Sequence, residues 1–377
     1  LPLGQLLIIQ YCTLLVFSAL YTPQPLLPVL AEHFGVGEAR ASLLITVTLL
    51  PLAVAPIAYG FLLQKMAARR LLLVSIWLLA ASQVVVYFVD RFDVLLGLRL
   101  LQGMVIPAML TGLMTYLGAS AGPGRIAQVM AAYVASTVMG GFLGRALSGV
   151  IAANFGWRWS FLLLGLATVL AALLLSRLKS DPPVSFQRLR LSAVIEILRQ
   201  PSFLRIYGVV FCAFGAFASL LNFLPFRLVE LGTGMSESGI GLMYSGYLMG
   251  VVVSLVSLRL ASRIGGTVNA MLVGTLILVT ALLFFAASPV WVMFLGMFVL
   301  CSGMFMIHSL APGVLNQQSG EHRGVVNGLY IAFYYAGGAT GSFLPGFLYH
   351  GFGWYVYLGS LALVVGLAGS LLWGLRR

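Results

Sequence analysis

Twelve apolar runs, each about as long as a bilayer is thick, leave this chain little choice of architecture. They lie near residues 5–30, 39–63, 69–89, 94–119, 125–153, 157–177, 202–229, 237–260, 267–287, 290–315, 321–349 and 353–375. A helix needs roughly 20 apolar residues to cross hydrocarbon, and backbone inside hydrocarbon must satisfy its own hydrogen bonds, so each run reads as a spanning α-helix. The runs are too long for barrel strands and lack their alternation. With 61% apolar and 8% charged residues and a mean hydropathy of +1.04, the chain lies far from soluble domains.

The runs divide into two sets of six. Gly140 to Gly149 reads GGFLGRALSG and returns as GGATGSFLPG from Gly337 to Gly346, an offset of 197 that also relates Phe155-Gly156-Trp157 to Phe352-Gly353-Trp354. The first and seventh runs share Cys12 with Cys212, Phe17 with Phe217, Leu20 with Leu220, Pro25 with Pro225 and Val29 with Val229, here at an offset of 200. Two parallel six-helix halves around a central site describe one class of secondary transporter. The expected division is an N-terminal bundle over 1–178, a cytoplasmic linker over 179–201 and a C-terminal bundle over 202–377. In the linker, Leu189, Leu191, Val194, Ile195 and Leu198 fall at helical spacing among basic residues, as in a helix lying on a membrane surface.

A net charge of +12 raises the question of nucleic acid, and the placement of the charges argues against it. Lys65, Arg69, Arg70, Arg177, Arg199, Arg205, Arg259, Arg263 and Arg323 fall on one side, whereas Glu32, Glu38, Asp90, Asp93, Glu230 and Glu237 gather on the other. The positive-inside rule then puts both termini in the cytoplasm of a bacterial-type inner membrane. Cys12, Cys212 and Cys301 lie within apolar runs, where they read as small buried hydrophobes rather than a disulfide framework.

Depth sorts the ionisable residues sharply. All nine carboxylates lie at run ends or in loops, and only Arg99, Arg145 and His308 lie inside runs. An intramembrane charge faces protein or water and is a functional candidate. A site between the halves with guanidinium groups and no carboxylate favours an anionic or zwitterionic solute. Tyr21, Gln24, Asn222, Tyr330 and Tyr334 are the candidates for its hydrogen bonds and aromatic surface. Two roles stand open for each charge. Arg99, with Gln102 beside it, either turns toward Asp90, Asp93 or the outer interface, or serves coupling. Arg145 either bonds carbonyls across the halves and closes a gate, or touches solute. His308 is either satisfied by a neighbour or is the proton carrier, a task for which Glu32 is the alternative.

Several of these stretches resemble a known family. Arg99, Gln102 and Gly103 stand in RLLQG, Gln24 to Pro28 reads QPLLP, and Gly156 opens GWRW. The loop from Gly60 reads GFLLQKMAARRLLL and that from Leu258 reads LRLASRIGG. Together they resemble the major facilitator superfamily, and within it the twelve-helix drug:proton antiporter group, across essentially the whole chain. The resemblance implies two rocking six-helix bundles and proton-driven export. Departures are specific: Gln64 and Ser262 stand where the family's loop pattern has an acidic residue, and Ala67 replaces a glycine. Lys65, Arg69 and Arg70 are then left to hold the loop by contacting helix C-termini or lipid phosphate. Arg145 replaces the proline of the family's GPxxGG pattern, and Ser148 its next glycine. Many of the family's exporters carry an acid in their first helix; Tyr11 to Gln24 holds none.

There is no GxxxxGK[ST] phosphate loop, GxSxG elbow or Cys/His cluster, so neither ATP-driven transport, enzymatic activity nor a cofactor is expected. The reading is a monomeric, proton-coupled exporter of a small amphipathic organic solute, in contact with lipid. Uptake of an organic anion by proton symport is the alternative, and a membrane-embedded lipid-modifying enzyme a remote one.

Overall fold

The computed structural model describes residues 3–62, 68–120, 126–177 and 191–376. Helix α1 runs from Leu3–Tyr21, breaks into a 3₁₀ turn at Gln24–Leu26 and resumes as Leu27–Phe34. The break follows from Pro23, Pro25 and Pro28, which lack backbone donors. Then come α2 (Glu38–Leu62), α3 (Ala68–Val86), α4 (Phe92–Ser120), α5 (Ile126–Phe155) and α6 (Trp157–Ser176). A linker helix, Leu191–Arg199, buries Ala193 and Ile197 on one face and leaves Ile195 exposed. The second half repeats the order with α7 (Pro201–Glu230), α8 (Glu237–Arg263, with a 3₁₀ turn at Tyr244–Leu248), α9 (Thr267–Ala286) and α10 (Val290–Gln318). Helix α11 begins as Arg323–Phe343; the stretch Pro345–Trp373 completes it and, past Gly353, forms α12. Ten stretches among the described residues are by themselves long and apolar enough to cross a membrane, and α2 and Arg323–Phe343 complete the twelve.

Glycine spacing sets the register of each half. Gly140 and Gly144 of α5 lie against the backbone of Leu14 and Ser18 of α1, and Gly337 and Gly341 of α11 lie against the backbone of Phe211 and Gly215 of α7. All four pairs obey the offset of 197. The letters shared at an offset of 200 between α1 and α7 therefore do not occupy equivalent places; the helix pairs match three residues away from that alignment. Close approach also permits Ser18 Oγ to donate to Gly140 O at 3.0 Å, the sort of contact small residues allow in membranes. The turn into the last helix of each half is the same too, since Gly156 and Gly353 adopt φ of +93° and +82°, a region open to glycine.

The halves meet along two matching helix pairs, α5 with α8 and α2 with α11. Gly149 lies against Glu237 O, and Gly241 against the carbonyl of Arg145. Glu38 of α2 and His350 of α11 approach to 3.3 Å at the end of the bundle where the acidic residues gather. Two of the tryptophans near the acidic end are buried against neighbouring helices. Trp157 packs on His33 and Phe161, and Trp354 donates to Phe285 O at 2.7 Å; Trp159 and Trp291 remain exposed.

Candidate functional site

Three prolines leave a carbonyl without its helical donor, and each time a side chain from another helix fills the gap. A proline has no N–H for the carbonyl four residues earlier, so Pro23 strands Ala19, Pro225 strands Leu221 and Pro312 strands His308. Arg99 of α4 donates to Ala19 O at 2.9 Å. Tyr244 of α8 donates to Leu221 O at 2.7 Å, and Tyr330 of α11 to His308 O at 3.3 Å. Carbonyls left bare in hydrocarbon are costly, so these contacts make the prolines tenable at the break in α1 and inside the continuous helices α7 and α10.

Arg99 is wholly buried and committed to backbone. Beyond Ala19 it donates to Leu20 O at 2.8 Å, Leu44 O at 3.0 Å and Gln102 Oε1 at 2.6 Å. The expectation that it turns toward Asp90 or Asp93 is thereby corrected. Those carboxylates pair with Arg158 at 2.7 Å and Arg40 at 3.0 Å, and the carbonyls freed at the break in α1 are better placed for a guanidinium than the distant helix ends.

Arg145 is 1% exposed and lies where the halves meet. Its Nε donates to Gln24 Oε1 at 2.6 Å and its Nη1 to Gly141 O at 2.6 Å. Its guanidinium carbon sits 4.0 Å from the Tyr21 ring centroid, 4.8 Å from Tyr247 and 5.2 Å from Tyr244. The carbonyl bond stays within α5, so it is the Tyr244 and Tyr247 rings, not carbonyls, through which Arg145 reaches the other half. Gln24 carries the polar path onward. Its Nε2 donates to Asn222 Oδ1 at 3.5 Å, and Asn222 Nδ2 donates to Ser342 O at 3.0 Å. Ser342 is the duplicate of Arg145, and its buried hydroxyl has no partner. Among the described residues no carboxylate is buried and none pairs with Arg99 or Arg145.

From Tyr247 a wall of rings continues through Phe305 at 5.1 Å to His308 at 6.2 Å. His308 Nδ1 lies 2.7 Å from the Tyr330 hydroxyl, and its ring is 4.7 Å from Tyr334. Tyr334 stacks on Phe214 with centroids 3.7 Å apart. Tyr21, Gln24, Arg145, Asn222, Tyr330 and Tyr334 thus join one contiguous cluster, with His308 in it. Tyr244, Tyr247, Phe214 and Phe305 belong to it as well and were not singled out from sequence; Pro225 signals that Leu221 needs a donor, but nothing local names Tyr244. Glu32 lies apart. With Glu38 and Glu237 it borders a pocket of about 450 Å³ at the acidic end, walled by Pro25, Pro28 and Phe226. At the opposite end Arg69 donates to Ser176 O at 2.8 Å, a helix C-terminus as expected, while Arg70 is exposed. Gly60 lies in α2, and Gln64 and Lys65 fall outside the described residues.

Two six-helix bundles related by duplication and closed on a polar core between them define a membrane transporter. The Major Facilitator Superfamily pattern matches residues 11–251 and again 206–377, and the chain belongs to that family. It is similar to the Inner membrane transport protein YnfM of Escherichia coli (strain K12), 27% identical over 90% of this chain and 82% of that one. Uncharacterized MFS-type transporter YybF of Bacillus subtilis (strain 168) is 24% identical over 93% of this chain and 87% of its own. Among solved structures, a bacterial homolog of the human lysosomal transporter Spinster, inward-facing and occupied, superposes with a TM-score of 0.78 at 15% identity, covering 98% of this chain and 95% of that one. Nucleoside transporter NupG superposes with a TM-score of 0.80 at 12% identity, covering 98% of each. The chain is accordingly a multi-pass secondary transporter of small solutes in the inner membrane.

Proposed function

We propose that this transporter exports a small amphipathic organic solute that is anionic or zwitterionic, in exchange for protons. The bundles over 1–178 and 202–377 rock about the Arg145 cluster, with 179–201 as their tether and the basic end in the cytoplasm. The observation that carries the reading is Arg145: a buried guanidinium between the halves, ringed by phenols and, among the described residues, lacking any carboxylate partner. A buried charge without a counter-charge is stabilised by an anion that arrives as cargo.

Flux in proteoliposomes with an imposed pH gradient and a charge-sorted panel of solutes tests this. Anionic or zwitterionic solutes should move against their gradient, and Arg145→Gln should abolish that preference. Preferential transport of cations would overturn it, and proton-driven accumulation on the side of the acidic end's opposite face would make the protein an uptake symporter instead.

A further inference from the structure

The rings around Arg145 narrow the cargo further, on the reading that the cargo is an anion. Aromatic faces carry negative potential and repel an acid group, whereas a guanidinium attracts it, so the cluster fixes where the acid must sit. Two of the three guanidinium nitrogens are already bonded, to Gln24 and Gly141, and Tyr21, Tyr247 and Tyr244 lie around its plane. The Tyr247 hydroxyl bonds the guanidinium as well, so an anion reaches Arg145 by taking the place of that hydroxyl. Next to Tyr247 comes ring after ring. Phe305 stands 5.1 Å from Tyr247, Phe217 stands 6.1 Å from Tyr247, and Phe214 stands 6.1 Å from Phe217. Rings meet edge-on in this wall, Phe305 to Tyr247 at 89°, and face to face at its far end, where Tyr334 lies on Phe214 with planes 13° apart; both are favourable aromatic geometries.

We propose that the cargo is a planar aromatic anion, its carboxylate or sulfonate on Arg145 and its ring against the Tyr247–Phe305 wall. An aliphatic anion of the same size gains burial but no stacking. A flat aromatic one gains both, and the orientation is set because only one end of the site tolerates the acid.

The experiment uses the full chain in proteoliposomes and three permanently charged probes: benzenesulfonate, cyclohexanesulfonate and phenyltrimethylammonium. Benzenesulfonate should be taken up roughly threefold to tenfold faster than cyclohexanesulfonate, the range stacking supplies. Phe305→Leu should erase that ratio while keeping anions ahead of the cation. Equal transport of the two sulfonates by the unaltered protein, or failure of benzenesulfonate to move, would overturn the aromatic proposal while leaving anion transport standing. Faster movement of phenyltrimethylammonium would instead overturn the underlying anion reading. The ratio in the unaltered protein decides the matter even if Phe305→Leu does not fold.

Discussion

Arg99 and Pro23 belong to different helices, yet the guanidinium of the first occupies the carbonyl that the second leaves bare, Ala19 O at 2.9 Å. If that is why an arginine is tolerated there, its loss is repaired in part by giving the carbonyl back its natural donor. Arg99→Leu should destabilise the protein by on the order of 3 kcal/mol, because three carbonyls lose a charged donor at once. Adding Pro23→Ala restores one N–H and should recover about 1 kcal/mol. Thermal unfolding of the single and double variants in detergent measures the coupling; a double variant no more stable than Arg99→Leu would show that the carbonyl is not what Arg99 serves.

The glycine contacts between α7 and α11 make a second, sharper expectation. A methyl group at Gly341 would meet the backbone of Gly215, which cannot turn aside as a side chain can. Gly341→Ala should therefore cost about 1–3 kcal/mol of stability, the range for overpacking. Gly359 has open space around its α-carbon, so Gly359→Ala provides a matched substitution in α12 that should leave the unfolding temperature unchanged or raise it. Equal effects of the two would mean that helix propensity, not packing, sets the response.

The bridge between halves is thin at its centre. Gln24 Nε2 and Asn222 Oδ1 are 3.5 Å apart, and Gln24 adjoins Pro25, which walls the pocket at the acidic end. Asn222→Leu removes the bond, and a neutral hydrogen bond is worth about 1 kcal/mol, so the acidic end should open more often by a few-fold. Labelling of Val29→Cys in that pocket by an impermeant thiol reagent should quicken accordingly. Background is low because Cys12, Cys212 and Cys301 are buried. An unchanged labelling rate would assign the closed state to the α2–α11 and α5–α8 contacts alone.

How much of this was legible beforehand depends on the range of the interaction concerned. Spanning helices are local: each follows from its own apolar run, and the α1 break from its own prolines. The duplication was legible too, but similarity of letters misled at the first and seventh helices, where the offset of 200 gave way to 197. Backbone contact selects the true register, and in α1 and α7 the contacting residues, Leu14 with Phe211 and Ser18 with Gly215, do not share letters. Buried charge was legible as a liability at Arg99 and Arg145, since hydrocarbon rejects it whatever the fold. Of their partners, Gln102, Gln24 and Tyr21 were named from sequence; the rest were not. Carbonyls carry no sequence identity, and phenols such as Tyr244 and Tyr247 come from a helix nearly a hundred residues further along. The site is therefore half written in composition and half in tertiary packing.

His308 supplies the last expectation. Its Nδ1 lies 2.7 Å from the Tyr330 hydroxyl, which also donates to His308 O at 3.3 Å. Both contacts are satisfied together when the ring proton is on Nδ1, because that N–H then donates to the phenol oxygen while the phenol proton goes to the carbonyl stranded by Pro312. The assignment follows from the network, and it leaves Nε2 as the nitrogen that gains and loses a proton. Since no carboxylate is buried among the described residues, this histidine is the cluster's candidate proton carrier. His308→Ala should leave solute exchange at equal pH intact and abolish the response to an imposed gradient. Tyr330→Phe should keep the response but lower stability by about 1–3 kcal/mol through the bare carbonyl. A gradient response in His308→Ala equal to that of the unaltered protein would remove His308 from coupling, and Glu32, at the pocket of the acidic end, would be the next residue to substitute.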